Sequence, residues 1–197
     1  MDSFLKNESV RGALVAAVHR REDFPKKHLP VVAFVGRSNV GKSSLLNRLL
    51  GTHSARVGKA PGKTRGIYFY ETKEGHHVAD LPGVGFARVS RSDREAWNVL
   101  ADMLFGSGRV SLAVHLVDPR VPEAQADLQI REDLASYGVR TIAVATKWDK
   151  LSAAERARAK KRLEDIHGEI WPVSAKAGEG IDILRREIRR RIQEEEG

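Results

Sequence analysis

The most constraining feature of this chain is a nine-residue loop motif, Gly36-Arg37-Ser38-Asn39-Val40-Gly41-Lys42-Ser43-Ser44, with the spacing G-x-x-x-x-G-K-[ST]. Residues 31–35, before it, are apolar and mostly β-branched, whereas residues 45–50, after it, have helical spacing. The motif therefore lies between a buried strand and a helix N-terminus, the context that it requires. There its glycines let backbone N–H groups surround a phosphate, and the helix end adds partial positive charge. The sequence predicts a phosphate-binding loop.

Two side chains of this loop have predicted chemical roles. Lys42 can reach the β- and γ-phosphates of a nucleoside triphosphate, and the Ser43 hydroxyl can bind Mg²⁺. The motif alone leaves open which base is bound, and whether the protein is a kinase, a motor or a switch. The alternative is a glycine-rich strand-to-helix turn without a ligand, which the flanking strand and helix disfavour.

Composition narrows the class of protein. The 197 residues, 41% hydrophobic and 30% charged, suit one soluble α/β domain. No apolar run approaches the ~20 residues of a membrane span, and the N-terminus lacks the apolar segment of a secretion signal. We therefore expect no membrane partner and no secretion. The absence of cysteine excludes disulfides, thiolate metal sites and cysteine nucleophiles.

The formal net charge of +8 is more than a nucleotide site needs. This excess suggests a polyanionic partner, most plausibly a nucleic acid. A generally basic surface without a specific partner is the alternative, and charge alone does not separate the two.

The rest of the chain alternates between strand and helix patterns. Two strands, 67–70 and 77–80, are joined by a tight turn. The later predicted strands are 110–117, 140–146 and 169–173, and the later predicted helices are 93–105, 122–137, 152–167 and 180–195. This order predicts an α/β fold, with a mainly parallel sheet, one antiparallel hairpin strand and helices on both faces.

Two predicted units and two polar loops complete this organisation. Residues 1–24 read as a lead-in packed on the domain, in which residues 13–18 form either an edge strand or a short helix. Residues 25–197 form a single nucleotide-binding domain. Segments 52–66 and 81–93 contain glycine and read as mobile loops.

The D-x-x-G segment Asp80-Leu81-Pro82-Gly83 ends a predicted strand, at the edge where open α/β sheets bind ligands. Asp80 would hold Mg²⁺ through water, and the Gly83 N–H would contact the γ-phosphate. Thr64, in the first polar loop, is placed to bind Mg²⁺ through its hydroxyl when that phosphate is present. The two polar loops are therefore the expected switches.

Two further strand ends select the base. In Thr146-Lys147-Trp148-Asp149, the Asp149 carboxylate can accept the N1–H and N2–H₂ of guanine, and the Lys147 stem would lie along the base plane. Adenine lacks both donors and would leave the carboxylate unpaired, which discriminates strongly. Ser174-Ala175-Lys176 offers a backbone N–H to guanine O6. Each string alone is weak, but their joint occurrence predicts GTP rather than ATP.

These segments resemble the EngB (YihA, YsxC) family of ribosome-biogenesis GTPases, from about Phe24 to about Leu184. The most specific matches are residues 32–47, Pro61-Gly62-Lys63-Thr64-Arg65, Asp80 to Ala87 and Val117-Asp118-Pro119-Arg120. Thr146 is usual in this family. Val84, Arg65 and Trp148 depart from the usual aromatic, Gln and Ala, but none of the three replaces a predicted phosphate or guanine contact.

The resemblance implies the P-loop GTPase fold and a Mg²⁺-dependent GTP/GDP site, with Ser43, Thr64 and Asp80 as metal ligands and Lys42, Thr64 and Asn39 as catalytic residues. The expected GTP-binding residues are Gly36, Arg37, Ser38, Asn39, Val40, Gly41, Lys42, Ser43, Ser44, Gly62, Lys63, Thr64, Arg65, Gly66, Asp80, Leu81, Pro82, Gly83, Thr146, Lys147, Trp148, Asp149, Val173, Ser174, Ala175 and Lys176.

The resemblance also implies a bacterial cytoplasmic protein that acts late in assembly of the large ribosomal subunit and supports normal cell division and septation. A monomer is expected. Ten basic residues on two helices are candidates for contacting rRNA phosphates, with a solvated surface paired to neighbouring Glu as the alternative: Arg156, Arg158, Lys160, Lys161, Arg162, Arg185, Arg186, Arg189, Arg190 and Arg191.

The hydrolysis machinery is expected to be incomplete within this chain. Val84 stands where many GTPases have a water-positioning Gln, and an apolar side chain cannot orient water. Slow intrinsic hydrolysis is therefore expected, accelerated by the ribosomal particle or by a cation. Asn39 occupies the position that coordinates K⁺ in related GTPases. The alternatives are a nucleotide-gated ribosome-binding module with negligible hydrolysis and, more distantly, a small-molecule kinase.

Overall fold

A seven-stranded sheet organises the part of the chain that the computed structural model describes, residues 12–51, 66–84, 91–121 and 125–194. The strand order across the sheet is β1-β3-β4-β2-β5-β6-β7. Among these described strands only β3 runs against the others, since it pairs antiparallel with both β1 and β4. The strands are β1 (Ala13–Val18), β2 (Val31–Gly36), β3 (Ile67–Glu71), β4 (His77–Asp80), β5 (Val110–Val117), β6 (Thr141–Ala145) and β7 (Ile170–Pro172). The predicted mainly parallel sheet with one antiparallel strand is confirmed.

Five α-helices lie between or after these strands in the described ranges. They are α1 (Lys42–Leu50), α2 (Arg91–Phe105), α3 (Gln125–Ser136), α4 (Ala153–His167) and α5 (Ile181–Gln193). The predicted start of α2 at residue 93 was two residues late. At the start of α4, the Glu155 carboxylate accepts the Ser152 backbone N–H at 2.8 Å, which completes a capping box. None of the described helices is long and apolar enough to cross a membrane.

Alternation along the central strand β2 divides the core between the two faces of the sheet. Val32 and Phe34 pack with α1 and α5, whereas Val31, Ala33 and Val35 pack with α2 and α3. Helix α4 covers β6 and β7, and it packs on them through Ala159 and Leu163. Every residue of β2 is buried, as expected of a parallel strand covered on both faces. The prediction of helices on both faces is therefore confirmed.

The segment 13–18 is an edge strand, the first of the two alternatives for it. It pairs with β3 through a register that is irregular between Leu14 and Ala16. Just before it, the Gly12 N–H donates to the Leu50 carbonyl at 2.9 Å and joins the strand to the end of α1. Residues 1–11 lie outside the described part of the chain, and the division at residue 25 stays a prediction.

Candidate functional site

The predicted phosphate-binding loop connects β2 to α1, and two of its residues have unusual backbone conformations. Asn39 has φ 64° and Gly41 has φ 111°, both in the left-handed region. Asparagine tolerates this region better than most residues with a side chain, and glycine has no side chain to clash. Helix α1 begins at Lys42. The loop therefore places its Lys and the following Ser43 in the first turn of a helix, as the motif requires.

Lys42 and Asp80 form a buried ion pair at this helix end. Lys42 is 9% exposed and Asp80 is 6% exposed, and the Lys42 ammonium contacts the Asp80 carboxylate directly. Asp80 is the last residue of β4, which pairs in parallel with β2, so adjacent strands bring the two residues together. Oxygen ligands from one carboxylate and one hydroxyl, Asp80 and Ser43, suit Mg²⁺, which takes its remaining ligands from phosphate and water.

The D-x-x-G segment is hydrogen-bonded to the phosphate-binding loop itself. The Val84 N–H donates to the Gly36 carbonyl at 3.1 Å, and the Ser38 N–H donates to the Val84 carbonyl at 2.8 Å. The Ser38 hydroxyl donates to the Gly83 carbonyl at 3.2 Å. A side chain at Gly83 would place its Cβ 3.0 Å from the Ser38 backbone nitrogen, so the two segments would have to move slightly apart to accommodate it. Part of the second predicted switch is thus in direct contact with the loop.

Thr146 and Lys147 lie on the other side of the loop. The Thr146 hydroxyl hydrogen-bonds to the Val40 carbonyl at 2.6 Å, with the Val117 carbonyl as a second acceptor at 3.2 Å. The Lys147 ammonium donates to the Asn39 carbonyl at 2.6 Å. Lys147 has φ 53°, an unfavourable conformation for a residue with a side chain, so these contacts hold strained backbone in place. The lysine stem is fixed beside the loop.

Asp118 also lies at the candidate site, although the sequence pattern gave it no role. Its carboxylate accepts hydrogen bonds from Lys147 at 3.0 Å and from Arg120 at 2.8 and 2.9 Å. Although burial raises the pKa of Asp118, these hydrogen bonds outweigh it and lower the pKa to about 2. The group is therefore ionised throughout the physiological range and holds the Lys147 ammonium. The sequence feature that could have identified Asp118 was its position directly after β5, within the motif of residues 117–120.

Asp149 is positioned by the last strand-end segment. The Ser174 hydroxyl donates to the Asp149 carboxylate at 2.6 Å and accepts the Ala177 N–H at 3.0 Å. The hydrogen bond from Ser174 lowers the pKa of Asp149. The Ser174 N–H itself donates to the Glu179 carbonyl at 2.9 Å, which leaves Ala175 and Lys176 as the candidate backbone donors for guanine O6.

Two predicted nucleotide-binding residues direct their side chains away from the loop. Arg37 forms a buried ion pair with Asp127 of α3, with 2.8 Å between Nε and the carboxylate. The Trp148 side chain lies in the core beside Ala159 and Leu163. Neither side chain is therefore directed at a nucleotide, and the Trp148 N–H is also occupied, since it donates to the Val173 carbonyl at 3.1 Å. Asp127 is a second residue that the sequence missed, because an acidic residue in a helix ordinarily faces water.

The first predicted switch falls almost entirely outside the described residues. Gly62, Lys63, Thr64 and Arg65 are not described, and neither are residues 85–90 of the second. Gly66 is described, just before β3, where a Cβ would come within 2.7 Å of the Val18 carbonyl oxygen. The roles predicted for Thr64 stay predictions.

Comparison with known proteins defines the class. The family model described as "50S ribosome-binding GTPase" matches residues 31–147, more than half of the chain. A crystal structure of Era in complex with MgGDPNP and nucleotides of 16S ribosomal RNA superposes with a TM-score of 0.62 at 25% identity, over 82% of this chain and 56% of that one. The loop, the D-x-x-G segment and the T-K-x-D strand end thus lie on a P-loop GTPase fold, and the protein is a GTPase.

Closer relatives give the family. A probable GTP-binding protein EngB of Petrotoga mobilis is 39% identical over 90% of this chain and 94% of its own length. The EngB of Gemmatimonas aurantiaca is 44% identical over 81% of each chain. A crystal structure of a probable GTP-binding protein EngB has a TM-score of 0.66 at 28% identity, over 83% of this chain and 99% of that one. The chain belongs to the EngB family of GTP-binding proteins.

Proposed function

We propose that this GTPase is a Mg²⁺-dependent switch that acts on the precursor of the large ribosomal subunit. The observation that supports it most is that Lys147, oriented by Asp118, contacts the same loop that leads into Lys42. The groups proposed to recognise guanine and those proposed to recognise phosphate would then both be attached to the same rigid loop. The description of the matching family model points to the ribosome. The proposal includes a cytoplasmic monomer whose loss impairs cell division and septation through ribosome supply.

The proposed roles follow from the contacts. Lys42 and the loop amides, from Gly36 to Ser44, neutralise the phosphates, while Asp149 and the Ala175 or Lys176 N–H read the guanine edge. Mg²⁺, when held by Ser43, Asp80 and Thr64, would neutralise charge on the β- and γ-phosphates. The Lys42–Asp80 ion pair would separate on binding, because Lys42 turns to phosphate oxygens.

Hydrolysis is proposed to be slow without help from outside. The Val84 backbone is bonded to the loop, and its apolar side chain cannot orient a water molecule. A K⁺ ion beside Asn39 is the proposed accelerating cation. Turnover should then be faster in K⁺ than in Na⁺ buffer at equal ionic strength, and equal rates would remove this part of the proposal.

Binding to ribosomal particles provides the main test. The protein should sediment with large-subunit particles in a GTP analogue and be released in GDP. Thr64→Ala should weaken the analogue-dependent binding while leaving GDP affinity unchanged. Sedimentation that is the same in both nucleotides, or absent in both, would contradict the proposal.

A nucleotide-gated binding module with negligible hydrolysis is the second candidate, and Val84 is the observation that favours it. Single-turnover hydrolysis with and without large-subunit particles separates the two. A switch should hydrolyse GTP faster when particles are present, whereas a binding module should show the same slow rate in both mixtures.

A further inference from the structure

A short basic segment, residues 19–28, connects β1 to β2 and crosses the sheet next to β3. It contains four Arg or Lys, two His and two acidic residues. All six of its basic side chains are exposed: His19, Arg20, Arg21, Lys26, Lys27 and His28. It lies outside the nucleotide site, and its charge has no evident part in the binding of GTP.

This basic segment is held in a defined conformation. The Asp23 carboxylate accepts the backbone N–H groups of His19 and Arg20, at 3.3 and 3.2 Å. Phe24 packs edge-on against Phe69 of β3, with 5.5 Å between ring centroids. These contacts fix the backbone from both of its sides, so its exposed charges are displayed without a large ordering cost on binding.

Arg109 clamps the second half of the basic segment. Its guanidinium donates to the Pro25 carbonyl at 3.1 Å and to the Lys27 carbonyl at 3.0 Å. It also lies over the Phe24 ring, 5.6 Å from the centroid. Arg109, which directly precedes β5, thus holds the basic segment through two carbonyl oxygens and an aromatic ring, and neutralises none of its charges.

Three basic side chains of the segment have no acidic partner among the described residues. These are Arg21, Lys26 and His28, whereas Arg20 pairs with Asp23 at 3.7 Å and Lys27 pairs with Glu71.

Most basic residues of α4 and α5, by contrast, have partners. Along α5, Arg185 pairs with Asp182, Arg189 with Glu74, and both Arg190 and Arg191 with Glu187. On α4, Arg156 pairs with Glu179, Lys160 with Glu164, and Arg162 donates to the Pro119 carbonyl. In the described part of these helices, Arg158, Lys161, Arg162 and Arg186 form no ion pair with an acidic side chain. Paired charges attract a polyanion less, since each carries its own counter-charge.

The basic segment begins beside the first predicted switch. A Cβ at Gly66 would lie 2.7 Å from the His19 ring and 2.7 Å from the Val18 carbonyl oxygen, so the two backbones are in close contact. Gly66 is the last residue of the predicted switch 52–66. A change of backbone at Gly66 would therefore displace the start of the basic segment.

We infer that the basic segment is a docking surface for RNA phosphates, and specifically for rRNA of the particle invoked under the proposed function, on which this inference rests. Exposed Arg and Lys on a fixed backbone suit the phosphate contacts that supply most of the affinity for nucleic acid. The basic surface of α4 and α5 would then contribute less to rRNA binding than the basic segment does.

Charge reversal tests this surface against a matched control. Arg21→Glu with Lys26→Glu and, on α4, Arg158→Glu with Lys161→Glu each change the formal charge by the same amount at two exposed positions. We expect the first pair to weaken sedimentation with large-subunit particles in a GTP analogue about tenfold, and to reduce the slope of log affinity against log salt by about 1.5. The α4 pair should change both much less, and GTP affinity should be unchanged in each.

Three results would overturn the inference while the proposed function stands. These are wild-type binding by the Arg21/Lys26 variant, an equal loss in the α4 variant, or wild-type binding that survives nuclease digestion of the particle, which would indicate an acidic protein partner. Arg21→Gln with Lys26→Gln should lose about half as much binding free energy, which separates charge from misfolding. Failure of the wild-type protein to bind particles in any nucleotide state would contradict the proposed function itself.

Discussion

The guanine side and the phosphate side of the candidate site are stabilised in different ways. On the guanine side, Lys147 is held by Asp118 and Asp149 is held by Ser174. On the phosphate side, Lys42 and Asp80 hold each other. In the proposed site, a guanine base would therefore bind to groups that keep their partners, whereas a triphosphate with Mg²⁺ would have to separate an ion pair.

This difference suggests a division of labour between the two sides. Preorganised groups favour affinity and discrimination, because no contact must be broken when the base binds. Groups that exchange partners can report the state of the nucleotide. Val84 and Gly83 bond to the same loop, so rearrangement around the γ-phosphate would reach the D-x-x-G segment directly.

The largest effect is expected from Lys42→Ala. It removes the ammonium that is proposed to bind phosphate and leaves the Asp80 carboxylate buried without its partner, so GTP affinity should fall about 1,000-fold and stability should also fall. Titration with a fluorescent GTP analogue measures the first, and urea denaturation the second. Adding Asp80→Asn should restore stability but not affinity. Exposed Lys161→Ala should change neither, and a mild loss of affinity in Lys42→Ala would contradict the assigned role.

Asp149→Asn should change base preference rather than phosphate binding. An Asn amide accepts through one atom and donates through the other, so it loses one guanine contact but complements the 2-carbonyl of xanthine. We expect GTP affinity to fall about 100-fold and XTP affinity to rise. Competition between GTP and XTP for the protein measures both. An equal loss for the two nucleotides would mean that Asp149 does not read the base.

Asp118→Asn should give a smaller loss on the same side. The amide keeps the shape but removes the charge that holds the Lys147 ammonium, so GTP and GDP affinities should fall together, about tenfold. Because the pKa of Asp118 is about 2, the ratio of wild-type to variant affinity should be constant from pH 5 to 8. A loss confined to GTP would place Asp118 on the phosphate side instead and remove the contrast between the two sides.

The sequence predicted what depends on local pattern. The motif 36–44, the alternation of strands and helices and the strand-end segments lie in contiguous residues, so periodicity and spacing identify them. Ion pairing on α4 and α5 was one of two open alternatives, and it holds for most of those residues. Lys42 and Asp80 meet because two strands are neighbours in the parallel sheet: β4 ends at Asp80, and β2 leads into the loop that precedes Lys42.

What the sequence did not predict arises from contacts between distant segments. Asp127 reaches Arg37 across 90 positions, and Asp118 reaches Lys147 across 29. Neither carboxylate has a local pattern that distinguishes it from a solvated one. The basic segment 19–28 was missed because its arginines and lysines look less numerous than those of α4 and α5. Which of these charges remain without a counter-charge becomes visible only when the contacts of each side chain in the folded protein are known.

The last expected effect is on the free energy of unfolding rather than on nucleotide affinity, and it concerns the support behind the phosphate side. His115 on β5 is fully buried, and neither ring nitrogen has a hydrogen-bond partner within the described residues. Its Nε2 lies 4.0 Å from the Asp127 carboxylate that pairs with Arg37, and its ring meets that of His167. Burial, with further repulsion from His167, Arg37 and Arg131, lowers the pKa of His115 to about 3.

The folded protein therefore binds fewer protons here than the unfolded chain, whose histidine pKa is about 6.5. The stability that neutral His115 contributes is fully present above pH ~6.5 and is lost as pH falls towards 3, by up to about 1.4 kcal/mol per pH unit. Urea denaturation between pH 4.5 and 7.5 should show this slope, and His115→Phe should reduce it by nearly one proton. A remaining slope is expected from His76, His77 and His167, whose pKa values burial also lowers. Parallel curves for the two proteins would mean that His115 takes up its proton equally in the folded and unfolded states, so that burial does not lower its pKa.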